Sequence, residues 1–423
     1  MRESNAEVAA TLEMKILALA LILLGVVIIV AVVWFAWDGR RRKPPSGIPT
    51  FRIVALGLNG AGKTVLLASQ FHKLSEPVAG RRYFLDGHWE QDTRLAMIYA
   101  SVGDTSAPWP AGTRIGDTRE FIFECKAFGR ADEERPVFRI SYLDYAGDLL
   151  ETHPDDQAAR GELEARVDAA HGLLVIIDGR RVLQLLRDEQ DGRDYLDRIR
   201  PLLGLARRAS CPVQLILTKW DLVRSFGESP DDEELLQEVS SRLMADGHVK
   251  ALVRAHDQLR QEVRLIPVSA VGSEFAQLCE DGRVVKRKDG TLDPIHVDVP
   301  LCAVLPDILR QVARTLDPSV QRRLEEDIGG RVRALVDATA VVTAVLGSHV
   351  GLLVRGALQG KVSDEVVKVF VERLASKSRD RDSPPDDEEA EMQRLRAEVI
   401  EHMDRAVLLF EARLPSSTLN GRW

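Results

Sequence analysis

Residues 51–56 (FRIVAL) form an apolar, strand-like run, and a helix-like run (TVLLASQFHKL) begins at Thr64. Between them stands Gly57-Leu58-Asn59-Gly60-Ala61-Gly62-Lys63-Thr64, which fits GxxxxGK[ST] without exception. Nothing else in the chain restricts the fold as strongly. A strand that ends in glycines and turns at once into a helix presents successive N–H groups and a helix N-terminus to an anion. The candidate nucleotide-binding residues here are Asn59, Gly60, Ala61, Gly62, Lys63, Thr64 and Val65. Lys63 is expected to reach the β- and γ-phosphates, with a catalytic role, and the Thr64 hydroxyl to hold Mg²⁺.

Three further motifs follow in order. Asp144-Tyr145-Ala146-Gly147 ends the run PVFRISYL. An acid at a strand's carboxyl end can hold Mg²⁺, and the Gly147 amide can approach a γ-phosphate. Thr218-Lys219-Trp220-Asp221 follows VQLIL. A carboxylate at Asp221 can accept from N1–H and the N2 amino group of guanine, a donor pair that adenine lacks, so this motif points to GTP and GDP. Ser269 and Ala270 follow VRLIPV and complete the candidate base site.

Around these motifs the strand candidates are 51–56, 119–127, 136–143, 172–177, 213–217 and 263–268. Helical stretches lie between most of them, including 63–75, 181–188 and 234–245. That alternation predicts an α/β domain with a mainly parallel sheet. The second and third candidates are close in sequence and are expected to pair as an antiparallel hairpin at one sheet edge. An insertion at about 273–298 contains VVKRKDGTL, which reads as a hairpin turning on its Asp-Gly pair. The last helix of the domain is placed at about 300–315.

With the order GLNGAGKT, DYAG, TKWD, SA, the chain resembles the small-GTPase (TRAFAC) branch of the P-loop GTPases over roughly residues 51–316. An anchor-like segment just before the domain is similar to the arrangement in the signal recognition particle receptor β subunit and in bacterial double-GTPase proteins. The resemblance implies GTP hydrolysis with Mg²⁺ and roles for Lys63, Thr64, Asp144, Gly147, Lys219 and Asp221. It also implies a switch threonine that binds the metal. Thr113, after Pro110-Ala111-Gly112, fits that place better than Thr118, which begins a strand. Asp148 stands where many relatives carry a water-orienting glutamine. A carboxylate beside an anionic phosphate is unfavourable, so slow intrinsic hydrolysis is expected, completed by a partner or by a local residue such as Arg114.

Residues 16–37 (ILALALILLGVVIIVAVVWFAW) carry no charge and are long enough to span a bilayer core. Trp34, Phe35 and Trp37 sit at one end, followed by Arg40, Arg41, Arg42 and Lys43, which places the body of the chain on the cytosolic face. A cleaved signal peptide would carry its positive charges before the apolar core. The expected organisation is therefore an N-terminal segment (1–37) with a single-pass helix, then a basic linker (38–50) and the GTPase domain (51–316). A helical region (317–375), a charged linker (376–391) and a terminal amphipathic helix with its tail (392–423) follow. Within 334–354 a helix buried in the protein is favoured over a second span, because Asp337 would lie in the bilayer. The stripe Met392, Leu395, Val399, Met403, Val407 and Phe410 needs a partner surface, either on its own domain or on another chain.

Composition narrows the functional classes. A hydrophobic content of 45% with 29% charged residues excludes a wholly disordered chain. The net charge of −8 argues against a protein coated with basic residues for nucleic acid. The four cysteines form no CxxC pair, which excludes a cysteine-rich zinc module and a disulfide framework. The sequence thus points to a membrane-anchored GTP-binding switch that hydrolyses GTP and engages a protein partner, another GTPase being one candidate. The alternative is a non-hydrolysing or very slow GTP-binding scaffold.

Overall fold

The structure is a computed structural model. It describes residues 47–110, 118–145, 157–226, 231–279, 282–316, 318–334, 363–378 and 388–420, with isolated positions between 345 and 354. Seven strands form one sheet: β1 (Thr50–Leu56), β2 (Tyr83–Gly87), β3 (Arg119–Phe128), β4 (Glu134–Asp144), β5 (Gly172–Asp178), β6 (Val213–Thr218) and β7 (Arg264–Pro267). Their spatial order is β2-β3-β4-β1-β5-β6-β7. From β4 to β7 every pairing is parallel, while β2, β3 and β4 pair antiparallel.

Side-chain pattern accounts for this division. β5 (GLLVIID) and β6 (VQLILT) are buried at every position, as strands covered on both faces must be. In β3 burial alternates, with Phe121, Phe123, Cys125 and Ala127 turned inward. All six predicted strands are present. The predicted β3–β4 hairpin also forms, but it is not the edge of the sheet, because β2 pairs outside it through Tyr83↔Ala127 to Gly87↔Phe123.

Helices cover both faces. α1 (Lys63–Ser75) leaves the phosphate loop, and α2 (Trp89–Gly103) packs beside it, with His72 stacked on Tyr99 at 3.9 Å. The inserted hairpin is built from β8 (Ala276–Leu278) and β9 (Val284–Lys286). Its turn runs through Gly282 (φ 77°), which donates to the Cys279 carbonyl at 2.9 Å. The chain also turns at Asp289-Gly290, where the Gly290 N–H donates to Arg287 O at 3.1 Å, but that turn does not close the expected hairpin: VVK is one arm, paired with the chain before it.

Helices α3 (Gln157–Asp168), α4 (Gly179–Leu186), α5 (Gln190–Arg208), α6 (Trp220–Val223), α7 (Asp232–Ala245) and α8 (Gly247–Gln258) follow in chain order. α9 (Val299–Thr315) lies against β5, where Gly172 leaves room for Val304; a Cβ there would come within 2.7 Å of that side chain. After α10 (Pro318–Ala334), α11 (Asp364–Ser378) and the terminal helix α12 (Glu388–Arg413) stack beyond α9. Leu395, Val399, Met403, Val407 and Phe410 of α12 are buried, so its apolar stripe packs on its own domain. Both helices reach into the expected linker 376–391, of which 379–387 lie outside the described residues. Past α12 the chain runs along β7, with an antiparallel bridge Arg264↔Thr418 and a Leu419 N–H to Val263 O bond of 3.0 Å.

Buried charge joins these layers. Arg264, fully buried, lies 2.5 Å from each of Asp307, Glu411 and Glu262. Burial alone would lower its pKa, but the three carboxylates outweigh that and hold the guanidinium charged. Arg396 pairs with Glu372 at 3.1 Å and donates to Val137 O at 3.1 Å, fixing α12 to β4. Residues 16–37 lie outside the described residues. Among the described residues no helix is long and apolar enough to cross a membrane.

Candidate functional site

The sheet is wound in opposite directions on either side of β1, and the carboxyl ends of β1, β4, β5 and β6 open onto one crevice. A cavity of about 1210 Å³ fills it. At one end β1 runs into the phosphate loop. Gly60 (φ 75°) and Gly62 (φ 88°) adopt left-handed conformations, and Gly57 passes Ile176 so closely that a Cβ would come within 2.8 Å of that side chain. Lys63 is buried and its ammonium donates to Gly57 O (2.8 Å) and Leu58 O (3.1 Å). That geometry arches the loop over its own lysine and leaves the N–H groups of the helix start facing the cavity.

Beside it the Thr64 hydroxyl donates to Asp144 Oδ2 at 2.7 Å. The other oxygen, Asp144 Oδ1, is buried without a hydrogen-bond partner. Burial pushes the Asp144 carboxyl upward, opposed by the Thr64 hydrogen bond and the Lys63 charge. An orphaned carboxylate oxygen next to a threonine hydroxyl is a set of hard oxygen donors, and it fits Mg²⁺.

The other end is built from two loops. Asp221 is half-buried, and its Oδ1 accepts the Ser269 hydroxyl at 2.6 Å. Burial raises its pKa, and the Ser269 bond offsets this in part. Ser269 Oγ in turn accepts from the Gly272 N–H at 2.8 Å, so the serine orients the carboxylate. Trp220 is completely buried and its backbone N–H donates to Val268 O, locking the Asp221 loop to the Ser269 loop.

Lys219 (φ 53°) carries its ammonium back to Gly60 O and Asp178 Oδ2, each at 2.8 Å. Thr218 Oγ1 lies 2.7 Å from Ala61 O. The base end and the phosphate end are therefore one bonded unit. Asn59, Val65 and Ala270 also line the cavity. Thr113, Arg114, Gly147 and Asp148 lie outside the described residues, and the rival Thr118 is exposed at the start of β3.

Four contributors were not singled out from the sequence: Asp178, which holds Lys219, and, lining the cavity, Arg94, Arg180 and the wall formed by Trp109 with β9. Asp178 had a readable signal, because it ends a fully apolar strand before a glycine, as Asp144 ends its own. Gly179 is required there, since a Cβ would come within 2.1 Å of Thr218 O. Trp109 carried no motif and is recognised only by its contacts.

A glycine loop over a buried lysine, a Thr–Asp pair beside it and the half-buried Asp221 fixed by Ser269 define a P-loop GTPase. The chain belongs to the Double-GTPase 2 family, which it matches over residues 52–270. Among solved structures it is similar to the Arl6 BBS3 small GTPase from Trypanosoma brucei, with 14% identity, 52% of this chain and 87% of that one covered, and a TM-score of 0.26. A second is the signal recognition particle receptor SRb-GTP/SRX complex from Chaetomium thermophilum, with 15% identity, 54% and 93% covered, and a TM-score of 0.27. A third is the bacterial selenocysteine-specific elongation factor EF-Sec, with 14% identity, 53% and 26% covered, and a TM-score of 0.25. The chain thus spans about a quarter of that factor's length. No curated protein matches the chain.

Proposed function

We propose that this protein is a GTP-binding switch that hydrolyses GTP with Mg²⁺ on the cytosolic face of a membrane, held there by residues 16–37. The observation that carries the nucleotide reading is the meeting, in one cavity, of the Thr64–Asp144 pair with the Ser269–Asp221 pair. Thr64 and Asp144 would hold the metal, with Thr113 as the third candidate ligand, and Mg²⁺ would neutralise charge on the β- and γ-phosphates. The chain's own residues do the rest. Loop N–H groups and Lys63 hold the phosphates, and Asp221 accepts from the guanine edge. Lys219 keeps the base loop against the phosphate loop.

The reading is tested on detergent-solubilised full-length protein by comparing GTP and ATP binding and turnover. GTP preference with Mg²⁺-dependent hydrolysis is expected, and ATP preference would overturn the role of Asp221. Thr64→Ala should lower Mg²⁺-dependent nucleotide affinity by at least about tenfold, because it removes one of the few protein oxygens available to the ion.

One sequence observation favours a second reading. Asp148 adds a carboxylate next to where the γ-phosphate is expected, which suits a slow or non-hydrolysing scaffold that recruits a partner. Single-turnover rates separate the two. A protein partner, a second GTPase being the leading candidate, would accelerate a slow enzyme and leave a non-hydrolysing scaffold unchanged.

A further inference from the structure

The base end of the cavity has one more wall than the four sequence motifs supply. Besides Asp221, Val268 and Ala270, the cavity is lined by Trp109 and by Val284, Val285 and Lys286 of β9. These residues come from two insertions far apart in the sequence, and they are pinned together. Trp109 Nε1 donates to Val284 O at 2.8 Å, and its ring meets Phe275 edge-on at 6.2 Å. The Lys286 ammonium lies 5.1 Å from the Trp109 ring centroid. The same ammonium donates to Ser101 O and Asp104 O, each at 2.8 Å, at the end of α2.

Under this wall Val102, Val271, Phe275 and Ala276 form a small core separate from the main one, with Val65, Trp109, Val284 and Leu292 packed on it. A separate core of this size can open without disturbing the sheet. Val65 belongs to the first turn of α1 and Val271 follows the Ser269-Ala270 motif, so this core touches both ends of the nucleotide site.

We propose that the wall made by Trp109, Val284 and Lys286 is a nucleotide-retaining element. It encloses the guanosine half of the ligand against Asp221, and the Trp109 pin sets the rate at which GDP leaves. The inference rests on the guanine-nucleotide reading above. Its chemistry is that of a largely apolar wall held in place by the Trp109 and Lys286 hydrogen bonds and their cation–π contact, and a wall beside a bound base acts chiefly by slowing dissociation.

Full-length protein in detergent is loaded with N-methylanthraniloyl-GDP and chased with excess unlabelled GDP. Trp109→Ala and Lys286→Met are expected to release the nucleotide at least about tenfold faster, with association rates changed by less than about threefold. Trp109→Phe loses the hydrogen bond but keeps a ring, and should fall between. Trp89→Ala, at an exposed position at the start of α2, serves as the control and should release at the unchanged rate.

If Trp109→Ala does not fold, Trp109→Phe and Lys286→Met decide. Unchanged release from these two, with native circular dichroism, overturns the inference alone. Equal acceleration by Trp89→Ala overturns it as well, because the effect would then be a general loosening of α2. Failure of the unaltered protein to bind any guanine nucleotide overturns the nucleotide reading and the inference with it.

Discussion

Asp144, buried, and Asp221, half-buried, are both carboxylates in the cavity, and their environments assign different tasks. Asp221 has one oxygen satisfied by Ser269, which leaves a fixed acceptor to meet a donor pair on a base. Asp144 has one oxygen satisfied by Thr64 and one orphaned, which suits a cation. Asp221→Asn replaces an acceptor by a donor. It should weaken GTP binding by at least about a hundredfold, and it should favour xanthosine triphosphate, whose ring carries a carbonyl where guanine has its amino group. Competition binding with both nucleotides checks this, and retained GTP preference would refute the contact.

Away from the site, His171 is held neutral. Its Nδ1 accepts the Arg52 backbone N–H at 3.0 Å, and burial first, then the Arg52 charge, lowers its pKa from 6.5 to about 4. Between those values the unfolded chain binds the proton and the folded one does not. The contribution is therefore complete above pH 6.5 and is lost as the pH falls toward 4, by up to about 3 kcal/mol. Urea unfolding of His171→Asn across that range should show a shallower pH slope than the unaltered protein.

The strands β5 and β6 could be read as continuous apolar runs because both faces are covered, and β3 as an alternating one because one face is. β2 escaped because YFLDG is short and pairs at an edge on one side only, where burial does not impose a pattern. The inserted hairpin was found but misregistered. The chain holds Asp-Gly twice there, at 281–282 and at 289–290, and which pair closes the hairpin depends on whether Ala276–Leu278 is the partner. That is a tertiary fact. The four motif loops were legible because chemistry fixes their composition; the Trp109 wall was not, because packing requires only shape.

The same distinction applies to Arg264. An arginine in a strand reads as exposed, yet this one is fully buried by partners from the segment before β7, from α9 and from α12. Arg264→Met leaves Asp307 buried without its main counter-ion and should cost about 3–5 kcal/mol in urea unfolding. Adding Asp307→Leu should recover much of that. No recovery in the double variant would show that shape, rather than charge, is what the position supplies.

Two kinds of attachment define the molecule as a whole. Within residues 49–423, the terminal helix belongs to the GTPase body through buried contacts with α9 and through Arg396. At the other end, residues 16–37 with the basic cluster that follows supply a proposed hold on the bilayer. The full chain should remain with membranes through alkaline carbonate, and deletion of residues 1–43 should move it to the supernatant. Extraction of the full chain by carbonate alone would refute the anchor.

The long reach of the strand at the far edge sets a schedule for synthesis. Val263 is bonded through its N–H to Asn420, 157 residues later, and Arg264 awaits Glu411. At about 5–20 residues per second, a ribosome needs roughly 8–30 s to make the intervening chain. During that interval the edge of β7 has no neighbour and a buried cation lacks one of its carboxylates. The loop bearing Ser269 hangs from that same strand. A nascent chain therefore carries its Ser269 loop on an unfinished sheet edge until Glu411 and Asn420 have been made.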